Sequence, residues 1–123
     1  MNILIDTHIF LWLLKSPKQL SEQQVETFKN PQNQFYLSSI SIAEIMTKLS
    51  IGKLAVDFDP IQAAIDSGLK LLPYQAADAV DLGYLLFHHK DPFDRMLIAQ
   101  ARTQNTKIMS SDRVFKLYGK VID

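Results

Sequence analysis

Short apolar runs alternate along this chain with segments whose apolar positions recur at helical spacing. Asn2 to Ile5 is such a run, stopping at Asp6-Thr7, after which Ile9, Phe10, Trp12, Leu13 and Leu14 are dense enough for a buried helix. Ser16-Pro17-Lys18 breaks that helix, and Ser21 to Gln24 has the form of a capping box opening a second one that ends near Asn30-Pro31. Phe35 to Ser38 is rich in strand formers and hands over to a helix carrying Ile42, Ile45, Met46 and Leu49, with Gly52 as its stop. Asp59-Pro60 opens the next helix as N-cap and first helical residue, Gly68 closes it, and Leu69 to Leu72 form a third strand-like run ended by Pro73. Gln75 to Phe87 is predicted helical with Gly83 as a weak point. Asp91-Pro92 opens a long helix whose Phe93, Met96, Leu97, Ala99 and Ala101 surround the axis, so it is expected to be largely buried. Lys107 to Ser110 gives a fourth strand, and Asp112 starts a closing helix through Tyr118.

Repeated strand-then-helix order implies an α/β fold, with a parallel sheet and helices on both faces. Composition narrows the class without changing that picture. With 123 residues, 47% of them hydrophobic and 21% charged, the chain is expected to be one soluble domain over residues 1–123. The absence of cysteine excludes disulfides, thiolate zinc sites and cysteine nucleophiles, and fits a cytoplasmic protein. Thirteen basic residues balance thirteen acidic ones, so any nucleic-acid contact must come from a local patch. The N-terminal run meets an acid at Asp6, unlike a signal peptide, and Ile9 to Leu14 is too short to span a bilayer, so no membrane association is expected.

The candidate chemistry lies in carboxylates at the transitions between elements. Asp6 follows the first strand, Glu44 sits one turn into the helix after the second, Asp91 and Asp94 open the long helix, and Asp112 follows the fourth strand. Ligands of open α/β sheets bind beyond the carboxyl ends of the strands, where a parallel sheet would gather these acids. Clustered carboxylates repel unless a cation neutralises them, and an oxygen-only set suits Mg²⁺ or Mn²⁺ better than zinc. Each acid also has a plainer role. Asp6, Asp91 and Asp112 stand where helix N-caps belong, Asp94 suits the N-terminal dipole, and Glu44 is free to face solvent.

Ile3-Leu4-Ile5-Asp6-Thr7-His8, Ser39-Ile40-Ser41-Ile42-Ala43-Glu44-Ile45, His89 to Ala101 with its Asp91-Pro92-Phe93-Asp94-Arg95 core, and Ser110-Ser111-Asp112 together resemble the PIN-domain family. The similarity is greatest to the VapC-like toxins of type II toxin–antitoxin systems. It spans nearly the whole chain and implies a three-layer α/β/α fold with a central parallel sheet of four or five strands. It also implies Mg²⁺- or Mn²⁺-dependent ribonuclease activity, a homodimer, and a cognate antitoxin. Carried over by position, Asp6, Glu44, Asp94 and Asp112 form the catalytic, metal-binding quartet, and Asp91 is an additional acid that is either a ligand or a cap.

The basic residues near the acids in sequence, His8, Lys48, His89, Lys90, Arg95 and Arg113, are the candidate RNA contacts. His88 and His89 equally suit a polar inter-helix loop, and Phe10 and Trp12 are expected in the core or a dimer interface. No Ser-His-Asp set or glycine-rich nucleotide loop competes with the metal reading. Two other functions remain open: a receiver-like phosphoacceptor, which shares the doubly wound plan but needs an acidic pair where Asp6 stands alone, and a catalytically inactive interaction domain with this fold.

Overall fold

The computed structural model describes residues 1–88, 90–119 and the backbone of 121–122. Five parallel strands form one sheet in the order β3-β2-β1-β4-β5: β1 Asn2–Ile5, β2 Gln34–Ser38, β3 Lys70–Leu72, β4 Lys107–Met109 and β5 Val121–Ile122. The order itself excludes the receiver plan. Receivers run 2-1-3-4-5, whereas here β1 pairs with β2 on one side and β4 on the other. The switch point therefore falls between β1 and β4, where the chain direction across the sheet reverses.

Among the described residues six α-helices connect the strands: α1 Thr7–Lys15, α2 Glu22–Lys29, α3 Ser39–Ser50, α4 Pro60–Asp66, α5 Ala76–Asp81 and α6 Pro92–Thr103. Side chains alternate along a strand, so β1 feeds two cores. Ile3 and Ile5 join Ile9 and Phe10 of α1, Leu37 of β2, Ile45 of α3 and Ala64 of α4 on one face. Leu4 joins Leu97, Ile98 and Ala101 of α6 with Ile108 and Phe115 on the other. Burying each such large side chain contributes about 1.5–3 kcal/mol, and β1 is buried on both faces as the central strand of a three-layer α/β/α stack.

Local signals set the helix ends. Asp6, Ser21, Ser38, Asp59 and Asp91 cap α1, α2, α3, α4 and α6 through their side chains, and Ser21 with Gln24 completes the expected capping box. α3, α4 and α6 end alike. Gly52, Gly68 and Asn105 take positive φ, and the next residue's amide reaches back to the carbonyls of Lys48, Ala64 and Ala101, which is the Schellman pattern. After α4 and α6 this turn delivers the chain straight into β3 and β4.

Three expectations need correction. The helix predicted over Gln75 to Phe87 is α-helical only to Asp81, tightens to a 3-10 turn over Leu82–Tyr84 and then leaves regular structure. Gly83 weakens helix propensity where Tyr84, Leu86 and Phe87 bury no apolar face against the core and stay exposed. The closing helix is a 3-10 helix over Arg113–Tyr118. In α6 burial is complete only from Leu97 to Ala101, while Phe93 and Met96 in its first turns are half-exposed.

Candidate active site

The carboxyl edge of the sheet gathers the acids by three different routes. Asp6 leaves β1 in extended conformation, and its Oδ1 accepts from the Ile9 amide at 2.8 Å, so the residue is both helix cap and buried acid, 3% exposed. The Ser110 hydroxyl at the end of β4 also bonds it. Burial raises the Asp6 pKa above its usual 3.8, opposed by the Ser110 and Ile9 hydrogen bonds and the His8 charge, and the Glu44 carboxylate adds to the rise.

Glu44 is 2% exposed, so it does not take the solvent-facing option. Its Oε1 lies 2.7 Å from the Thr7 hydroxyl, which is 3.0 Å from Ser41 Oγ, and its Oε2 accepts from Lys48 Nζ at 2.8 Å one turn along α3. The hydrogen bond to Glu44 raises the Lys48 pKa, burial opposes it, and the charges of Glu44, Asp91 and Asp94 add to it. Lys48 thus marks where α3 and the start of α6 share one electrostatic field.

Asp91 is a helix cap in fact: its Oδ1 accepts from the Phe93 and Asp94 amides at 2.9 and 3.1 Å. Asp94 lies half-buried in the first turn of α6. Asp112 is exposed and caps the 3-10 turn through the Val114 amide at 3.0 Å, while its own amide donates to Ser110 Oγ at 3.0 Å. Ser110 is therefore the bridge between Asp6 and Asp112.

Among the basic residues, His8 neighbours Asp6, Lys90 is exposed on the loop leading into α6, and Arg113 is exposed at the start of the closing 3-10 helix. Arg95 turns the other way, stacking 4.6 Å over Phe87 and donating to the Leu86 carbonyl at 3.2 Å, which ties down the irregular segment after α5. His88 packs against Tyr118, and the expectation for His89 lies outside the described residues. Sequence reasoning gave no role to three buried hydroxyls, Thr7 and Ser41 in the first turns of α1 and α3 and Ser110 just past β4. Their signal was present as hydroxyl residues in otherwise apolar stretches beside each acid.

Among the described residues no three His, Asp or Glu side chains converge closely enough to hold a metal ion. The donor set nonetheless fits a hard cation in kind: two buried carboxylates from different elements influence one another, and the cation now at Glu44 is the ammonium of Lys48.

The PIN-domain family model matches residues 3–121, and the chain belongs to that family. Its fold is similar to VapBC-1 from nontypeable Haemophilus influenzae, with 15% identity, TM-score 0.68 and coverage of 100% of this chain and 98% of that one. VapBC2 from Rickettsia felis, solved bound to a promoter DNA fragment, gives 19% identity and TM-score 0.67 over 99% and 96% of the two chains. FitAcB from Neisseria gonorrhoeae gives 17% identity and TM-score 0.64 over 98% and 96%. No curated protein sequence matches the chain. No helix among the described residues is long and apolar enough to cross a membrane.

Proposed function

We infer that this protein is a metal-dependent endoribonuclease and the toxin half of a type II toxin–antitoxin pair. The observation that carries the reading is the pairing of Asp6 and Glu44, 3% and 2% exposed, at the switch point of a PIN-family sheet. Asp6, Glu44 and Asp94 would hold Mg²⁺ or Mn²⁺, with Asp112 completing the set from the rim. A divalent ion bound there supplies charge neutralisation at the phosphodiester and activation of the attacking water.

The chain's own groups prepare that chemistry. The Ile9 amide and Ser110 fix the Asp6 carboxylate, and the Thr7 hydroxyl fixes Glu44. Exposed His8, Lys90 and Arg113, with Lys48 at the site, offer cations to the RNA backbone, which positions the strand without reading its bases. Arg95, engaged with Phe87 and Leu86, shapes the adjoining loop.

One similar structure is described as a toxin–antitoxin complex from Klebsiella pneumoniae and another, VapBC-5 from Mycobacterium tuberculosis, as a member of the VapBC family of toxin–antitoxin systems, which supports a small antitoxin partner that presents an arginine or lysine to the anionic groove. Half-exposed Leu11, Trp12, Leu13 and Leu14 of α1 support a homodimer. The test is cleavage of RNA by purified, antitoxin-free protein with Mg²⁺ or Mn²⁺ and with EDTA. Metal-restored, EDTA-sensitive cleavage is expected. Undiminished cleavage in EDTA sinks the metal reading, and no cleavage with either ion favours an inactive interaction domain.

A further inference from the structure

Lys48 is one turn along α3 from Glu44, the spacing at which helical side chains of opposite charge meet. The pair is unequal. The Glu44 carboxylate is 3% exposed and the Lys48 side chain 38%, so the acid is fixed in the protein and the ammonium reaches in from the surface on a flexible stem. The acid is held from its other oxygen by Thr7, itself beside Ser41, a hydrogen bond that does not involve the ammonium. The charges of Asp91 and Asp94, the cap and first turn of α6, also favour the Lys48 ammonium.

Resting on the metal-dependent reading above, we propose that Lys48 is a built-in counter-cation that occupies Glu44 in the metal-free site and competes with the divalent ion for it. A buried carboxylate beside other acids is costly without a cation, and Lys48 supplies one before metal arrives. The same ammonium must leave Glu44 Oε2 when a divalent ion draws on that oxygen. Lys48 therefore stabilises the apo fold at the expense of metal affinity, and its long stem lets it withdraw to solvent.

The experiment measures Mn²⁺ binding by the loss of the free-ion EPR signal, and melting in EDTA, for the wild type, Lys48→Met, Lys48→Gln, Lys48→Arg and Asp6→Asn. Removing one positive charge beside the site should tighten Mn²⁺ binding by about tenfold in Lys48→Met and Lys48→Gln. Lys48→Arg, which keeps the charge, should bind as the wild type does, and both neutral variants should melt lower in EDTA. Lys48→Gln retains a hydrogen-bond donor for Glu44 and serves if Lys48→Met folds poorly. Unchanged or weaker Mn²⁺ binding in both neutral variants, with binding lost in Asp6→Asn, overturns the competition and leaves the metal site standing. Absence of Mn²⁺ binding in the wild type and the neutral variants alike overturns the metal reading and this proposal together.

Discussion

Asp78 on α5 and Glu44 on α3 are equally buried acids, 1% and 2% exposed, yet what faces them differs in kind. Asp78 accepts from the Gln75 amide at 2.8 Å, the Thr103 hydroxyl, and Gln104 Nε2 at 3.1 Å. All three donors are neutral, and two come from the C-terminal end of α6, its last residue Thr103 and its cap Gln104, so this carboxylate clamps α5 against α6. Glu44 has one neutral donor, the Thr7 hydroxyl, and beyond it meets another acid and an ammonium. Neutral donors satisfy a buried carboxylate and leave nothing for a ligand to do. A second acid creates repulsion that a cation relieves, so on the proposed function burial serves recognition in one place and fastening in the other.

The contrast is broken most directly by neutralising one acid in each region. Asp6→Asn should reduce metal-dependent cleavage by more than about 100-fold, beyond the range typical of losing an outer-shell partner. Its melting in EDTA should be equal to the wild type or higher, because burial already disfavours the ionised form of Asp6. Asp78→Ala should do the opposite. Leaving three donors without their acceptor costs about 3 kcal/mol, a fall of roughly 10 °C in Tm for a chain of this size, with cleavage per folded molecule unchanged. If Asp78→Ala lost cleavage while still melting as the wild type does, the division between fastening and site would fail.

A smaller effect separates the two aspartates that open α6. Asp91 caps the helix by accepting from two amides, and Asn caps about as well as Asp, whereas Ala loses about 0.5–2 kcal/mol. Asp91→Asn should therefore keep both melting temperature and cleavage, and Asp91→Ala should lose stability. Asp94→Asn should lose cleavage with its EDTA melting unchanged or raised. Lost cleavage with normal melting in Asp91→Asn would move Asp91 from the cap into the site.

What could be read from the sequence were features encoded within a few residues. Caps at Asp6, Ser21, Asp59, Asp91 and Asp112, and stops at Gly52 and Gly68, depend on short side chains bonding nearby amides or on one backbone conformation, and each stands where it was expected. Strand-then-helix alternation gave the parallel sheet for the same reason. Tertiary contacts decided the rest. The helix from Gln75 stops early because Tyr84, Leu86 and Phe87 bury no apolar face and stay exposed, and the two-residue β5 is a strand only through its pairing with β4. At the site, Glu44 was legible as an acid in an apolar helix. The roles of Thr7 and Ser110 were not, since a hydroxyl at a strand end has many possible partners and only the fold selects one.

The smallest effect sharpens the comparison from within the α5 region. Tyr74 is half-buried, and its hydroxyl oxygen is out of contact with solvent and has no hydrogen-bond partner among the described residues. Burial raises its pKa above 10, and the charges of Asp78 and Asp81 add to the rise. As the pH climbs past 10 the unfolded chain releases this proton before the folded one, so the unfolded state binds fewer protons and stability falls until the folded pKa is reached. At neutral pH the hydroxyl is a buried donor without an acceptor, and removing it should leave stability unchanged or raise it by up to about 1 kcal/mol. Tyr74→Phe should therefore match or slightly exceed the wild type in Tm near pH 7, and the gap should widen in its favour above pH 10. Other titrating groups unfold both proteins alike in alkali, so the difference between the two curves is the quantity to read. A wild type more stable than Tyr74→Phe at neutral pH would mean that the hydroxyl is bonded in solution, and that Asp78 and Asp81 draw on one more neutral donor than the structure shows.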